Sequence, residues 1–87
     1  MDTWTRPAQR GCAWILDTET GSIRQISAIG ETKTDAEETA MRNARKERDF
    51  ANLGLLRPAR FVALTSAAAN AAGIVAAFYA PLEKTAG

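Results

Sequence analysis

Histidine is absent from this chain, and cysteine occurs once. Without imidazole there is no Ser-His or Cys-His nucleophile pair and no histidine-bearing zinc site, and a single thiol cannot close an intramolecular disulfide. Cys12 opens an apolar segment and reads as a small buried hydrophobe rather than a nucleophile. Only carboxylates are left for a metal, and Glu37, Glu38, Glu47 and Asp49 all fall in one charged stretch without calcium-loop spacing. Gly11, Gly21, Gly30, Gly54 and Gly73 stand apart from one another, so neither a dinucleotide-binding loop nor a Walker-type phosphate loop is present. An excess of one charge is missing too. Eleven basic residues against ten acidic ones leave +1, which argues against a protein whose main work is to neutralise phosphate. These absences lead to the expectation of a protein that is not an enzyme and holds no cofactor or metal.

What is present is the composition of one small globular domain: 87 residues, 46% hydrophobic and 24% charged. A chain this short has a thin core. Met1-Asp2-Thr3-Trp4-Thr5-Arg6-Pro7 has no apolar signal region and the lone Cys12 suits a reducing compartment, so a bacterial cytoplasmic location is expected. Eighteen alanines, and eight arginines to three lysines, match the coding bias of a GC-rich bacterial or phage genome. Phe61 to Leu82 is free of formal charge for 22 residues, long enough to span a bilayer. It is rich in alanine and interrupted by Thr65, Ser66, Asn70, Gly73, Tyr79 and Pro81, so it is expected to be core and not a membrane span.

Along the chain, residues 1–11 carry Pro7 and Gly11 and read as an irregular arm, residues 12–82 as a single α+β domain, and residues 83–87 as a tail. Cys12 to Asp17 predicts a strand, Asp17-Thr18-Glu19-Thr20-Gly21 a hairpin turn with Gly21 left-handed, and Ser22 to Ile29 a second strand. Thr34 to Leu53 predicts the main helix, opened by a Thr34–Glu37 capping box and stopped by Gly54 and Pro58. Its Ala36, Ala40, Ala44 and Ala51 stripe should lie against the sheet, with Arg42, Arg45 and Asp49 outward. Ala59 to Thr65 predicts a third strand. The next segment is divided. Gly73, Ile74-Val75 and Phe78-Tyr79 before Pro81 favour a fourth strand over Ile74–Ala80, whereas the alanine content favours a helix capped by Ser66 with a stripe of Ala68, Ala71, Val75, Phe78 and Leu82. The strand is the adopted reading, an antiparallel sheet of about four strands in ββαββ order; ββαβα is the alternative.

Arg42, Arg45, Lys46 and Arg48 in the helix, with Arg57 and Arg60 after it, are the candidate contacts for a partner. As a phosphate track they are diluted. Residues 31–60 hold seven basic and six acidic side chains, and Glu38–Arg42 and Arg45–Asp49 stand four apart, the spacing of ion pairs on a solvated helix face. Trp14 is core. Trp4, beside Arg6 and Pro7, is either a lid folded back on the domain or an interface anchor. The candidate partner-binding set is therefore Trp4, Arg6, Arg42, Arg45, Arg48, Arg57 and Arg60.

The Gly21 hairpin, the alanine-rich helix after Gly30-Glu31-Thr32-Lys33-Thr34, and the segments Phe61–Leu64 and Ile74–Pro81 together resemble very small phage-encoded proteins of the anti-CRISPR type with a ββαββ arrangement. The likeness covers residues 12–82. It implies inhibition of a host nucleoprotein defence complex by surface binding and assigns no residue a role. The functional expectation is a small protein-binding module, with a nucleic-acid-binding protein using the helix and loop cations as the alternative. A four-stranded sheet with one helix would leave its second face apolar and open, and from this a homodimer is expected through that face or a strand edge.

Overall fold

The structure, a computed structural model, describes residues 8–54 and 60–86. In Gly11 to Leu16, extended geometry puts Gly11, Ala13 and Ile15 on one side and Cys12, Trp14 and Leu16 on the other, and both sides are apolar. Such a strand needs cover on both faces, and it takes the centre of the sheet. β1 (Gln9–Asp17) lies between β2 (Ile23–Gly30) and β3 (Phe61–Thr65), both antiparallel to it. β1 thus begins three residues before the expected Cys12. Helix α1 (Lys33–Asn52) crosses one face, while α2 (Ser66–Ala71) and α3 (Ile74–Ala86) cover the other. The fold is α+β, a three-stranded antiparallel sheet between two helical layers.

The hairpin forms as expected. Asp17 N–H donates to Ser22 O and Gly21 N–H to Asp17 O, with Gly21 at φ 76°. Helix α1 opens earlier than its Thr34–Glu37 motif suggested. Thr32, two residues after β2 ends at Gly30, is the N-cap, its hydroxyl accepting from Asp35 N–H at 3.1 Å. Its end matches expectation, with Gly54 at φ 80° just beyond the Leu53 cap. Ala36, Ala40 and Ala44 are fully buried, Ala40 and Ala44 against Ala13, Ile15 and Ile26, and Ala36 over Gly11 and Gly30. Ala51 is exposed, a correction: at this end of α1 a small open hollow lined by Ile15, Asp17, Arg24 and Phe61 separates it from the sheet. Replacing Ala44 by leucine should destabilise by about 1–3 kcal/mol, since the added bulk pushes helix from sheet. A urea titration of Ala44→Leu checks this; an unchanged midpoint would contradict the packing.

The fourth strand does not form. Ile74–Ala80 is helical, so the order is β-β-α-β-α-α and the sheet has three strands. A strand there would extend the sheet sideways and leave Trp14, Leu16 and Leu64 bare. A helix instead lays Ile74, Val75 and Phe78 over them at helical spacing, joined by Ala69 of α2. Gly73, at φ 75°, makes the break between α2 and α3. The helix cap is Thr65, whose hydroxyl accepts from Ala68 N–H, and not Ser66. The face on which the dimer expectation rested is therefore covered by the chain itself. Among the described residues no helix is long and apolar enough to cross a membrane.

Candidate functional site

Hydrogen-bond phase along β1 defines the site. Thr18 N–H donates to Arg60 O at 2.8 Å, directly across from it, so the even-numbered residues of β1 turn their backbone groups toward β3. β3 pairs only as far as Ala13↔Thr65, after which Ser66 begins α2 and the chain leaves the sheet. Arg10 and Cys12 consequently face a gap. Ser66 Oγ donates to Cys12 O at 2.8 Å, and among the described residues no strand lies beside Arg10.

Above the gap runs one flank of α1. Thr34, Glu37, Glu38, Met41, Arg42 and Arg45 recur at three- and four-residue spacing and overhang the β1 edge. With Cys12 below and Thr65, Ser66 and Ala67 opposite, they enclose an open cleft of about 470 Å³. Its lining is mixed: hydroxyls at the β3–α2 corner, an apolar patch at Met41 and Ala67, and carboxylates at Glu37 and Glu38 followed by the Arg42 and Arg45 guanidiniums. The expected Glu38–Arg42 and Arg45–Asp49 pairs are not formed among the described residues. Asp49 is held by its neighbour Arg48 at 2.9 Å, which leaves Arg45 to the cleft.

The candidate residues are thus dispersed. Arg42 and Arg45 share the cleft, whereas Lys46 is exposed away from it. Arg48 is half-buried on Asp49. Trp4, Arg6 and Arg57 lie outside the described residues. Trp14 is core, 3% exposed. Cys12, Thr34, Met41, Thr65 and Ser66 join the cleft without any sequence signal, because only pairing of β1 with β3 brings residues 12 and 65 together. No group of three or more potential metal-ligating side chains occurs among the described residues.

Arg60 has a different place. Its guanidinium grips the Asp17 carboxylate through Nε at 3.1 Å and Nη2 at 2.9 Å, reaches Glu19 at 3.5 Å, and stacks over the Phe61 ring. The Arg60 carbonyl meanwhile accepts from both the Thr18 amide and hydroxyl. Asp17 is buried and also accepts from the Glu19 and Thr20 amides. The pair is a clamp fastening the hairpin turn to the start of β3, not a free cation. The Arg60 guanidinium, helped by those two amides against the cost of burial, holds the Asp17 carboxyl well below the usual carboxylate range. A depressed folded-state value means stability that is complete above the ordinary value of about 3.9 and is lost as pH falls below it toward the folded one. Unfolding free energy is expected to decline with acidification below about pH 4, and the decline should be shallower in Asp17→Asn. Parallel pH–urea series measure it; identical slopes in the two proteins would remove the clamp.

No protein-family model, curated protein or solved structure matches the chain.

Proposed function

We propose that the chain is a small, non-catalytic protein-binding module whose cleft between α1 and β1 receives an extended segment of a partner protein. One observation carries this reading: a strand edge without a partner strand among the described residues, at Arg10 and the Cys12 amide, coincides with the charged and apolar flank of α1. A peptide added there would take main-chain hydrogen bonds from the edge and side-chain selection from the flank, the mode of strand addition. Met41 offers an apolar seat, Arg42 and Arg45 receive acidic side chains, and Glu37 and Glu38 receive basic ones. Inhibition of a host defence complex, which the anti-CRISPR resemblance implies, is one use such a cleft would serve.

Panning a displayed peptide library tests this. Peptides with an acidic half are expected, with affinity falling about tenfold or more in Arg42→Glu/Arg45→Glu and amide shifts centred on Arg10 and Cys12. Peptides that bind the double variant equally well would sink the proposal. The nucleic-acid alternative keeps support from Arg42, Arg45 and Lys46, which are exposed along α1, but Arg48 and Arg60 already hold carboxylates. It requires affinity for duplex or single-stranded probes that drops steeply with salt.

A further inference from the structure

β2 is an edge strand, and its outer side has no partner among the described residues. Asp17 N–H bonds Ser22 O directly across the hairpin, so the pairs Ile15–Arg24, Ala13–Ile26 and Gly11–Ala28 carry the ladder to β1. Ile23, Gln25, Ser27 and Ile29 must therefore turn their backbone N–H and C=O groups outward. Edge strands are ordinarily blunted by proline, lysine, a bulge or shortness. This one is eight residues long and in unbroken register, and its sequence contains neither proline nor lysine. Its one charge, Arg24, is directed to Glu47 of α1 at 3.0 Å.

We propose that two copies of the chain pair antiparallel through this edge, about a two-fold axis at Ile26, into one continuous sheet. A two-fold axis normal to a sheet keeps each residue on its own face, so opposed residues must be both odd or both even. Centring on Ile26 satisfies this and sets Ile23 against the second copy's Ile29, and Gln25 against the second copy's Ser27. All four are outward-bonding positions, so the ladder closes over the whole strand. Ile29, otherwise 70% exposed, gains an isoleucine partner, and the Gln25 and Ser27 side chains meet polar to polar.

The helix above β2 is self-complementary about the same axis. Asp35 lies against Gly30 and Glu47 against Arg24, which places that flank of α1 over β2. Thr39, Asn43, Lys46 and Phe50 continue it at helical spacing. α1 lies across both β1 and β2, so pairing at the edge turns its outer flank toward that of the second copy. Small polar Thr39 and Asn43 then sit near the axis, Lys46 is brought toward the second copy's Asp35, and Phe50, 78% exposed in one chain, lies along the joint. Among the described residues, two of the four large exposed hydrophobics, Ile29 and Phe50, thus border this one edge. A net charge of +1 offers little repulsion. The pairing leaves the cleft free, because that lies on the opposite, β3 side of β1.

Size exclusion with light scattering is expected to give twice the 9.4 kDa of one chain. Ser27→Pro, which removes an outward amide and no backbone bond to β1 (only the exposed Arg10–Ser27 side-chain contact is lost), and Ile29→Lys, at an exposed position, should each give 9.4 kDa with unchanged circular dichroism. Register is read by mixing Gln25→Cys chains with Ser27→Cys chains in a Cys12→Ser background. Opposed hydrogen-bonded residues have Cα atoms about 5.5 Å apart, which suits a disulfide, so mild oxidation should cross-link the mixture and not either chain alone. A wild-type chain of 9.4 kDa at its highest soluble concentration overturns the proposal, as does a dimer that survives both edge variants. A cross-link in Ser27→Cys alone overturns the register.

Discussion

Alanine at position 11 is expected to lower the unfolding free energy by about 3 kcal/mol, the upper part of the usual range for overpacking. Gly11 lies on β1 directly beneath the first turns of α1. A Cβ there would stand 2.5 Å from the Ala36 carbonyl carbon and 2.8 Å from Glu37 Cα, with the Glu37 amide nitrogen closer still. These are helix backbone atoms, which no rotamer change can move aside, so α1 itself must lift. Lifting it withdraws Ala36 and Ala40 from the sheet, and their full burial is the measure of how close the helix lies. In a domain of this size the loss corresponds to a midpoint lower by about 15 °C. Thermal unfolding of Gly11→Ala beside Gly30→Ala gives an internal comparison, because the Cβ at Gly30 would meet Ala36 N at 2.7 Å and is less crowded. Equal, wild-type-like stability in both would mean that α1 rides higher than described. The cleft should suffer with the fold, since its roof is the same stretch of helix.

Removing the Trp14 side chain is expected to cost about 3–5 kcal/mol, a large part of the stability of a small domain. Trp14 is the central residue of the second core. Its ring meets Phe78 edge-on at 5.1 Å and 73°, stands 6.3 Å from Tyr79, and packs with Ala69 and Ile74. Truncation to alanine leaves a cavity that α2 and α3 would have to collapse into, and among the described residues α3 would be left with Leu16, Ile23, Leu64 and the Gln25–Tyr79 hydrogen bond to hold it to the sheet. Hydrogen exchange should show this as faster amide exchange in α3 than in α1, together with a lower urea midpoint. Trp14→Phe should cost much less. It retains the edge-to-face packing, and the indole N–H that it removes is buried without an acceptor among the described residues. If Trp14→Ala left α3 exchange unchanged, the aromatic contact would not be what seats that helix.

The resemblance to ββαββ proteins relied in part on a strand at Ile74–Pro81, and that segment belongs to α3. The reading of those residues turned on preference alone. Ile-Val and Phe-Tyr pairs suit a strand and alanines suit a helix, and neither preference exceeds a fraction of a kcal/mol per residue. Burial over Trp14, Leu16 and Leu64 is worth more than that difference, so the uncovered face of β1 decided the outcome. The ion pairs show the same limit. Spacing along α1 offered Arg45 to Asp49, but the neighbouring Arg48 took that carboxylate, and Arg60 found Asp17 across 43 residues of sequence.

By itself the sequence determined the elements whose cause is local. The hairpin follows from Asp17 to Gly21, the end of α1 from Gly54, and its buried side from alanines at 36, 40 and 44, whereas its cap fell at Thr32 and not at the expected Thr34. Each depends on residues within about one or two turns of chain, where backbone geometry acts directly. Tertiary structure alone decided the helical form of the C-terminal segment, the Asp17–Arg60 clamp and the cleft that joins Cys12, Arg42 and Ser66. These depend on which strand lies beside β1 and where that pairing stops. A strand's neighbours are chosen by burial summed over the whole sheet, a quantity that no short stretch of residues contains.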